Sequence, residues 1–90
     1  NYYSATSIDF NGNLAYVSWH INPKKYSENF GGAIDVINIT DRKVLQCREN
    51  SDVKYSHTCF YDGWLFSAGD DYHNGAVLSK IHLLIIKKSS

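Results

Sequence analysis

The sequence contains no methionine, one proline and no excess of charge of either sign. Nine basic residues balance nine acidic ones, which argues against a nucleic-acid-binding surface, since such a surface needs clustered lysine and arginine. No apolar run reaches the roughly 20 residues of a membrane-spanning helix, so we expect no transmembrane segment. Because methionine is missing even at position 1, we expect a processed chain or part of a longer one.

Two cysteines, Cys47 and Cys59, are too few for a disulfide framework. They form no Cys-x-x-Cys pair, and no histidine stands at a zinc-finger interval from them. Two interpretations stay open, a pair of buried free thiols and a single disulfide, and the redox compartment stays open with them.

Aromatic residues are abundant, with 7 Tyr, 4 Phe and 2 Trp. Such enrichment is typical of the pleated, half-buried surfaces of β-sheets. No long segment combines helical spacing with helix caps. We therefore expect an all-β protein with almost no helix.

An internal repeat organises the chain. Three short matches recur in the same order: Tyr-Ser-Ala-Thr at 3–6 with Tyr-Ser-His-Thr at 55–58, Asn-Gly at 11–12 with Asp-Gly at 62–63, and Gly-Ala-Ile at 32–34 with Gly-Ala-Val at 75–77. Repeats of this length indicate solenoids, propellers or arrays. We predict a single β domain over 1–90, with one unit at about 3–50 and an incomplete second unit at about 53–90.

The matched segments predict the strands. The dipeptides at 11–12 and 62–63 indicate type I′ hairpins, in which both central residues have positive φ. The first unit is expected to have four antiparallel strands, at 6–10, 14–19, from 32 onward and at 43–48, with a turn at Thr40-Asp41. The second is expected to have three, at 57–61, 64–68 and from 75 onward.

The predicted strands are apolar on both faces. In the second strand Leu14 and Tyr16 point one way while Ala15, Val17 and Trp19 point the other. A sheet with one wet face would alternate apolar with polar residues. Cover on both faces is typical of a propeller, in which each blade lies between two neighbours.

Segment 31–41, Gly-Gly-Ala-Ile-Asp-Val-Ile-Asn-Ile-Thr-Asp, resembles the core strand of bacterial β-propellers built from Leu-Val-Ile-Val-Asp-type repeats. Segment 11–17 is similar to the turn and following strand of the same blades. The resemblance implies a binding scaffold, and an extracytoplasmic or cell-surface location. Propellers have four to eight blades, so we expect a fragment of a larger propeller.

The second unit lacks the turn that should follow its third strand and continues instead as an apolar run, Ile81–Ile86. Such a run on a free sheet edge promotes pairing with another strand. We expect it to contact further blades of the same chain or to mediate self-association.

Four residues are candidates for binding. His57 begins a first strand, where a propeller would direct side chains into its central channel, and His20 ends a second strand. Trp19 and Tyr55 complete this set, and an aromatic patch of Trp19, Trp64, Tyr26 and Phe30 is a related possibility. Histidines converging with a carboxylate would suit a transition metal or acid–base chemistry. The alternatives are surface or hydrogen-bonded core histidines and aromatic residues that pack between sheets.

Asp70, Asp71 and Asn74 gather oxygen atoms in one short loop and are candidate calcium ligands. The alternative is a polar turn in which they accept backbone hydrogen bonds. Asp35 is predicted to be buried in mid-strand, where a carboxylate needs a hydrogen-bond partner or has a functional role.

No Gly-x-Ser-x-Gly elbow or phosphate-binding glycine loop occurs, so no residue is assigned to catalysis. We expect a non-catalytic β-propeller-type module that binds a protein or small-molecule ligand, with no cofactor assigned beyond the metals above. Two alternatives are a propeller enzyme, a metal-dependent hydrolase or lyase whose site is shared with absent blades, and a small self-associating β protein.

Overall fold

The computed structural model describes residues 2–21 and 31–83. These residues form seven β-strands and no helix. The strands are β1 (Tyr2–Asn11), β2 (Leu14–Ile21), β3 (Gly32–Asn38), β4 (Lys43–Asn50), β5 (Val53–Tyr61), β6 (Trp64–Asp71) and β7 (Gly75–Ile81). Within the described ranges no helix is long and apolar enough to cross a membrane.

The strands form two antiparallel sheets. The first sheet has the order β1-β2-β3-β4 and the second has the order β5-β6-β7. The all-β prediction is therefore confirmed, as are four strands before residue 51 and three after it. Several strands are longer than predicted. β5, for example, begins at Val53 rather than His57, because Val53 and Tyr55 already alternate into the core.

The two tight hairpins differ in turn type. Asp62 and Gly63 have φ of 50° and 79°, which confirms the type I′ turn predicted there. In the first hairpin Asn11 pairs with Leu14, so Gly12 and Asn13 are the central residues and only Gly12 has a positive φ, 58°. A type I′ turn at Asn11-Gly12 was therefore the wrong prediction. Glycine at the first central position makes the turn type II′.

The two sheets pack face to face around one core. The first sheet contributes Tyr16, Ile34 and Val36, and the second contributes Tyr55 and Leu65, with Val53, Ile81 and Leu83 completing the cluster. The ring of Tyr16 stacks on Phe60 of β5, with 5.4 Å between centroids. β5 packs mainly on β1 and β2 and also contacts β3, so the first strand of the second sheet lies over the β1–β2 side of the first sheet.

The sheets differ in how they are covered. In β2 and β3 the residues on both faces are buried, including Ala15 and Ala33 on the face away from the second sheet. The expectation of two covered faces is thus confirmed for β2 and β3, whereas β4 is largely exposed. In the second sheet Leu65 and Ser67 are buried against the first sheet, whereas Leu78 on the opposite face is 69% exposed.

Candidate functional site

Side chains of β1 occupy the outer edge of β5. Tyr61 and Trp64 flank a two-residue turn, so alternation along the ladder directs the N–H groups of Thr58 and Phe60 away from β6. The Ser7 hydroxyl accepts the Thr58 N–H at 3.0 Å, and the Asp9 carboxylate accepts the Phe60 N–H at 2.7 Å. Both edge donors are therefore satisfied without a neighbouring strand.

A chain of buried hydroxyl groups joins the sheets. Ser18 of β2 is hydrogen-bonded to Thr58 of β5, and the Thr58 hydroxyl donates to Ser67 of β6 at 3.1 Å. All three residues are buried. Because a buried hydroxyl needs a partner, this chain fixes the position of β5 over β2.

The edge of β7 is, in contrast, open among the described strands. Alternate residues of β6 face β5, so Leu65 and Ser67 direct their backbone groups to β7. By the same alternation Leu78 and Lys80 of β7 direct their N–H and C=O groups to the unpaired side. The equivalent strand of the first sheet, β3, is paired with β4 on that side.

A cleft of about 340 Å³ lies at this open edge. Arg48 and Asn50 reach it from β4, on the face of the first sheet that also carries Ile34. Its other walls are Tyr55, Trp64 and residues 79–82. Its described lining includes two cations, Arg48 and Lys80, and no aspartate or glutamate, so these walls of the cleft are cationic.

The two cations of the cleft are held in place. The Arg48 guanidinium donates to the backbone carbonyl oxygen of His82 at 3.3 Å. The Lys80 ammonium lies 4.1 Å from the centre of the Trp64 ring, and the His82 ring lies 4.9 Å from the same ring. Lysine over an indole face is a favourable cation–π contact. The result is a pair of oriented donors beside an aromatic wall.

Of the four predicted binding residues only Tyr55 lines this cleft, and of the predicted aromatic patch Trp64 lines it as well. Burial raises the pKa of its phenol above the usual value, so Tyr55 stays neutral. The structure places Tyr55 beside Gly32, where an added Cβ would lie 2.8 Å from the tyrosine ring.

The other three predicted binding residues do not converge. His20 lies on the face of β2 towards the second sheet, whereas His57 is exposed on the far face of that sheet. Burial, followed by the nearby charge of Lys54, lowers the pKa of His20. The Nε2 atom of His20 is buried without a hydrogen-bond partner in the described part of the chain. Trp19 lies on the opposite face of β2 from His20.

The proposed calcium ligands form a turn. The Asp71 carboxylate accepts the backbone N–H groups of His73 at 2.8 Å and of Asn74 at 3.2 Å. The Asn74 side chain directs its nitrogen, not its oxygen, to Asp71. Asp70 lies on the opposite face of β6 from Asp71. Across residues 2–21 and 31–83, no three His, Cys, Asp or Glu side chains are grouped to hold a metal ion.

Asp35 and the cysteines complete the list of candidates. Asp35 is 6% exposed, as predicted for a buried position, but its Oδ1 has no hydrogen-bond partner in the described residues. Cys47 and Cys59 are both exposed thiols, so they form neither a disulfide nor a pair of buried thiols. Tyr26, Phe30 and residues 84–86 of the apolar run lie outside the described residues.

Sequence reasoning missed Arg48 and Lys80. Each is an ordinary polar residue in its own strand, and only the stacking of the sheets brings them to one edge. The available signal was the absent fourth strand of the second unit, which predicts an open edge next to the fourth strand of the first.

The chain was compared with protein-family models, with curated proteins and with solved structures. No family model matches it, and neither of the other two comparisons gives a match.

Proposed function

We propose that the protein is a non-catalytic interaction module of β-propeller type, in which the two sheets are neighbouring blades. One observation carries this proposal. The outer face of the second sheet is equivalent, position by position, to the face with which the first sheet packs on the second.

The equivalence follows from the strand ladders. Leu14 closes the first hairpin opposite Asn11, and Trp64 closes the second opposite Tyr61, so Leu14 matches Trp64. With that match, the bulge between Ala5 and Ser7 falls on the bulge between Tyr55 and His57. The two hairpins therefore share an irregularity as well as a turn position, as repeats of one structural unit do.

Side chains at matched positions of the two sheets differ in how far they are buried. Tyr16 of the first sheet matches Phe66, and Ile34 matches Leu78 through its ladder partner in each sheet. The ladders thus shift the third-strand match by one residue from the sequence repeat, which aligned Ile34 with Val77. Tyr16 and Ile34 are fully buried against the second sheet, whereas Leu78 is 69% exposed. The second sheet thus presents Phe66 and Leu78 at positions that the first sheet buries, and Lys80 at the position of buried Val36.

A third sheet on this face would repeat the contact already made between the first two. Such a head-to-tail contact uses different surfaces of each unit, and it forms a ring when its rotation closes. The contacts of Ser7 with Thr58 and of Asp9 with Phe60 place β5 beside β1, as expected for the innermost strands of adjacent blades.

The cationic cleft, with its two oriented donors, supports a binding role. The alternative of a propeller enzyme has less support, because its candidate histidines, His20 and His57, lie on different sides of the second sheet. The resemblance of segment 31–41 to Leu-Val-Ile-Val-Asp-type repeats supports an extracytoplasmic or cell-surface location.

The test adds a third sheet to the chain. A chain extended after residue 90 by a flexible linker and a further copy of residues 53–83, with phenylalanine at the copy's tryptophan position, is expected to pack the copy on the Leu78 face. Acrylamide quenching of Trp64 should then fall, and the strands of the copy should be protected from hydrogen exchange.

The matched control carries the same extension on a Leu78→Glu background. Burying an unpaired carboxylate is unfavourable, so Trp64 quenching should stay at the level of the unextended chain. An added copy that remains unprotected on the unmodified background would contradict the proposal.

A further inference from the structure

We propose that the open edge of β7 binds an extended acidic peptide as the fourth strand of the second sheet. The inference names a partner class for the interaction role proposed above, and it does not depend on the two sheets being propeller blades. It is carried by the backbone of β7 and by the charges that flank it.

The backbone supplies the site for a strand. Leu78 and Lys80 direct N–H and C=O groups outward, and no strand in the described residues pairs with them. In the first sheet the matching residue of Leu78 is Ile34, which pairs with Arg48 of β4. A peptide at β7 would therefore take the position that β4 takes at β3, with the main-chain hydrogen bonds of strand addition.

Arg48 marks one end of this site. Its guanidinium donates to the carbonyl oxygen of His82, which belongs to the same outward-facing series as those of Leu78 and Lys80. A side chain of the first sheet thus already supplies one donor to the open edge. Farther along β7, the carbonyl oxygens of Leu78 and Lys80 could accept the N–H groups of a bound strand.

The charges select an acidic peptide. Lys80 projects on the outer face of the second sheet, and Arg48 reaches the edge from the inner side, so cations lie on both sides of the site. Among the described residues, the lining of the cleft has no carboxylate. Successive side chains of a bound strand point to opposite faces, so adjacent acidic residues would reach both cations.

A second copy of this chain is a poorer occupant. Edge-to-edge pairing of two β7 strands would bring two Lys80 side chains and two Arg48 side chains into one seam. Like charges in neighbouring strands are destabilising. An added strand that carries carboxylates would instead be attracted by Lys80 and Arg48.

The test uses a synthetic peptide as long as the 8-residue β4. It alternates valine and threonine around two adjacent glutamates, and a control peptide has glutamines in their place. Binding is measured by calorimetry and by the fluorescence of Trp64. We expect the glutamate peptide to bind at least about tenfold more tightly than the glutamine peptide, as for one added charge-assisted hydrogen bond.

Two variants separate backbone from charge. Leu78→Pro removes an outward N–H without touching the β6–β7 ladder, so it should weaken peptide binding by about tenfold or more, whereas Leu78→Thr keeps the N–H and should bind like the parent. Arg48→Gln should lower affinity for the glutamate peptide and leave that for the glutamine peptide unchanged. Circular dichroism and thermal unfolding confirm that each variant is folded.

Several outcomes would overturn the proposal. These are equal affinity for the two peptides, unchanged binding by a folded Leu78→Pro variant, or displacement of the peptide by free glutamate or inorganic phosphate at matched concentration. Edge-to-edge dimers that exclude the peptide would also overturn it. None of these results bears on whether a third sheet packs on the Leu78 face, so the two proposals fail separately.

Discussion

The carboxylate of Asp9 in β1 accepts the backbone N–H of Phe60 in β5 at 2.7 Å, across the boundary between the two sheets. Its other oxygen accepts the N–H of Phe10 at 2.9 Å. These two backbone hydrogen bonds, that from Phe60 first, lower the pKa of the Asp9 carboxyl below its usual value. One side chain therefore anchors the sheets to each other and completes the edge of β5.

Replacing Asp9 by alanine is expected to lower the free energy of unfolding by about 1–2 kcal/mol, because the Phe60 N–H loses its acceptor. Urea unfolding followed by tryptophan fluorescence measures the change. Asp41→Ala is the matched control, since Asp41 lies in an exposed turn between β3 and β4. Equal effects of the two substitutions would show that the anchor contributes nothing.

Because of this carboxylate, we expect the free energy of unfolding to depend on pH in the acidic range. Because its pKa is lower in the folded state, the unfolded state binds more protons in the window between the two values. The contribution of Asp9 is therefore complete above roughly pH 4 and is lost as the pH falls through the folded pKa. The stability difference between the parent and Asp9→Ala should shrink in this acidic range. A difference that is constant down to pH 2 would contradict this account.

Thr58 is the centre of the buried hydroxyl chain. Thr58→Val keeps the shape of the side chain but leaves the hydroxyls of Ser18 and Ser67 without their shared partner, so stability should fall by about 2 kcal/mol. The triple variant Ser18→Ala, Thr58→Val and Ser67→Ala removes all three hydroxyls. It should be destabilised by less than the sum of the single substitutions. Strict additivity in urea unfolding would argue against a coupled chain.

Gly32 lies where β3 passes closest to β5. A Cβ there would lie 2.7 Å from the Val53 carbonyl oxygen, an atom of the backbone that has little room to move. Gly32→Ala is expected to cost about 2 kcal/mol or more in thermal or urea unfolding. The matching position of the second sheet is Ala76, which is exposed. Ala76→Val should change stability by less than about 0.5 kcal/mol.

His20 is expected to titrate below the usual histidine range. Burial is the larger cause and the charge of Lys54 the second, and both disfavour the imidazolium. Folding is therefore opposed progressively as the pH falls below roughly 6.5, where the unfolded state begins to bind the proton first. Proton NMR titration measures the pKa directly. Lys54→Gln should raise the pKa of His20 towards the usual histidine value, and an unchanged pKa would remove Lys54 as a cause.

Much of the fold could be predicted from local patterns. The hairpin at Asp62-Gly63, the third strands beginning at a glycine and the apolar faces of β2 and β3 all depend on neighbours within a few residues. The turn at Gly12 was misplaced by one residue, since Asn-Gly and Gly-Asn both suit tight hairpins and only the ladder partner of Asn11 distinguishes them.

The candidate site could not be predicted in the same way. Arg48 and His82 are 34 positions apart in the chain. Their contact depends on the angle and offset at which the two sheets stack, which the hydrophobic pattern does not encode. The histidines were selected for their chemistry, but the strand faces separate His20 from His57.

The two edges of the second sheet have opposite accessibility to other strands. On the β5 side, the side chains of Ser7 and Asp9 block an arriving strand and accept the hydrogen bonds that it would need. On the β7 side, no described strand pairs with the outward backbone groups of Leu78 and Lys80. Among the described residues, a further strand would therefore find unused backbone groups at the β7 edge and occupied N–H groups at the β5 edge.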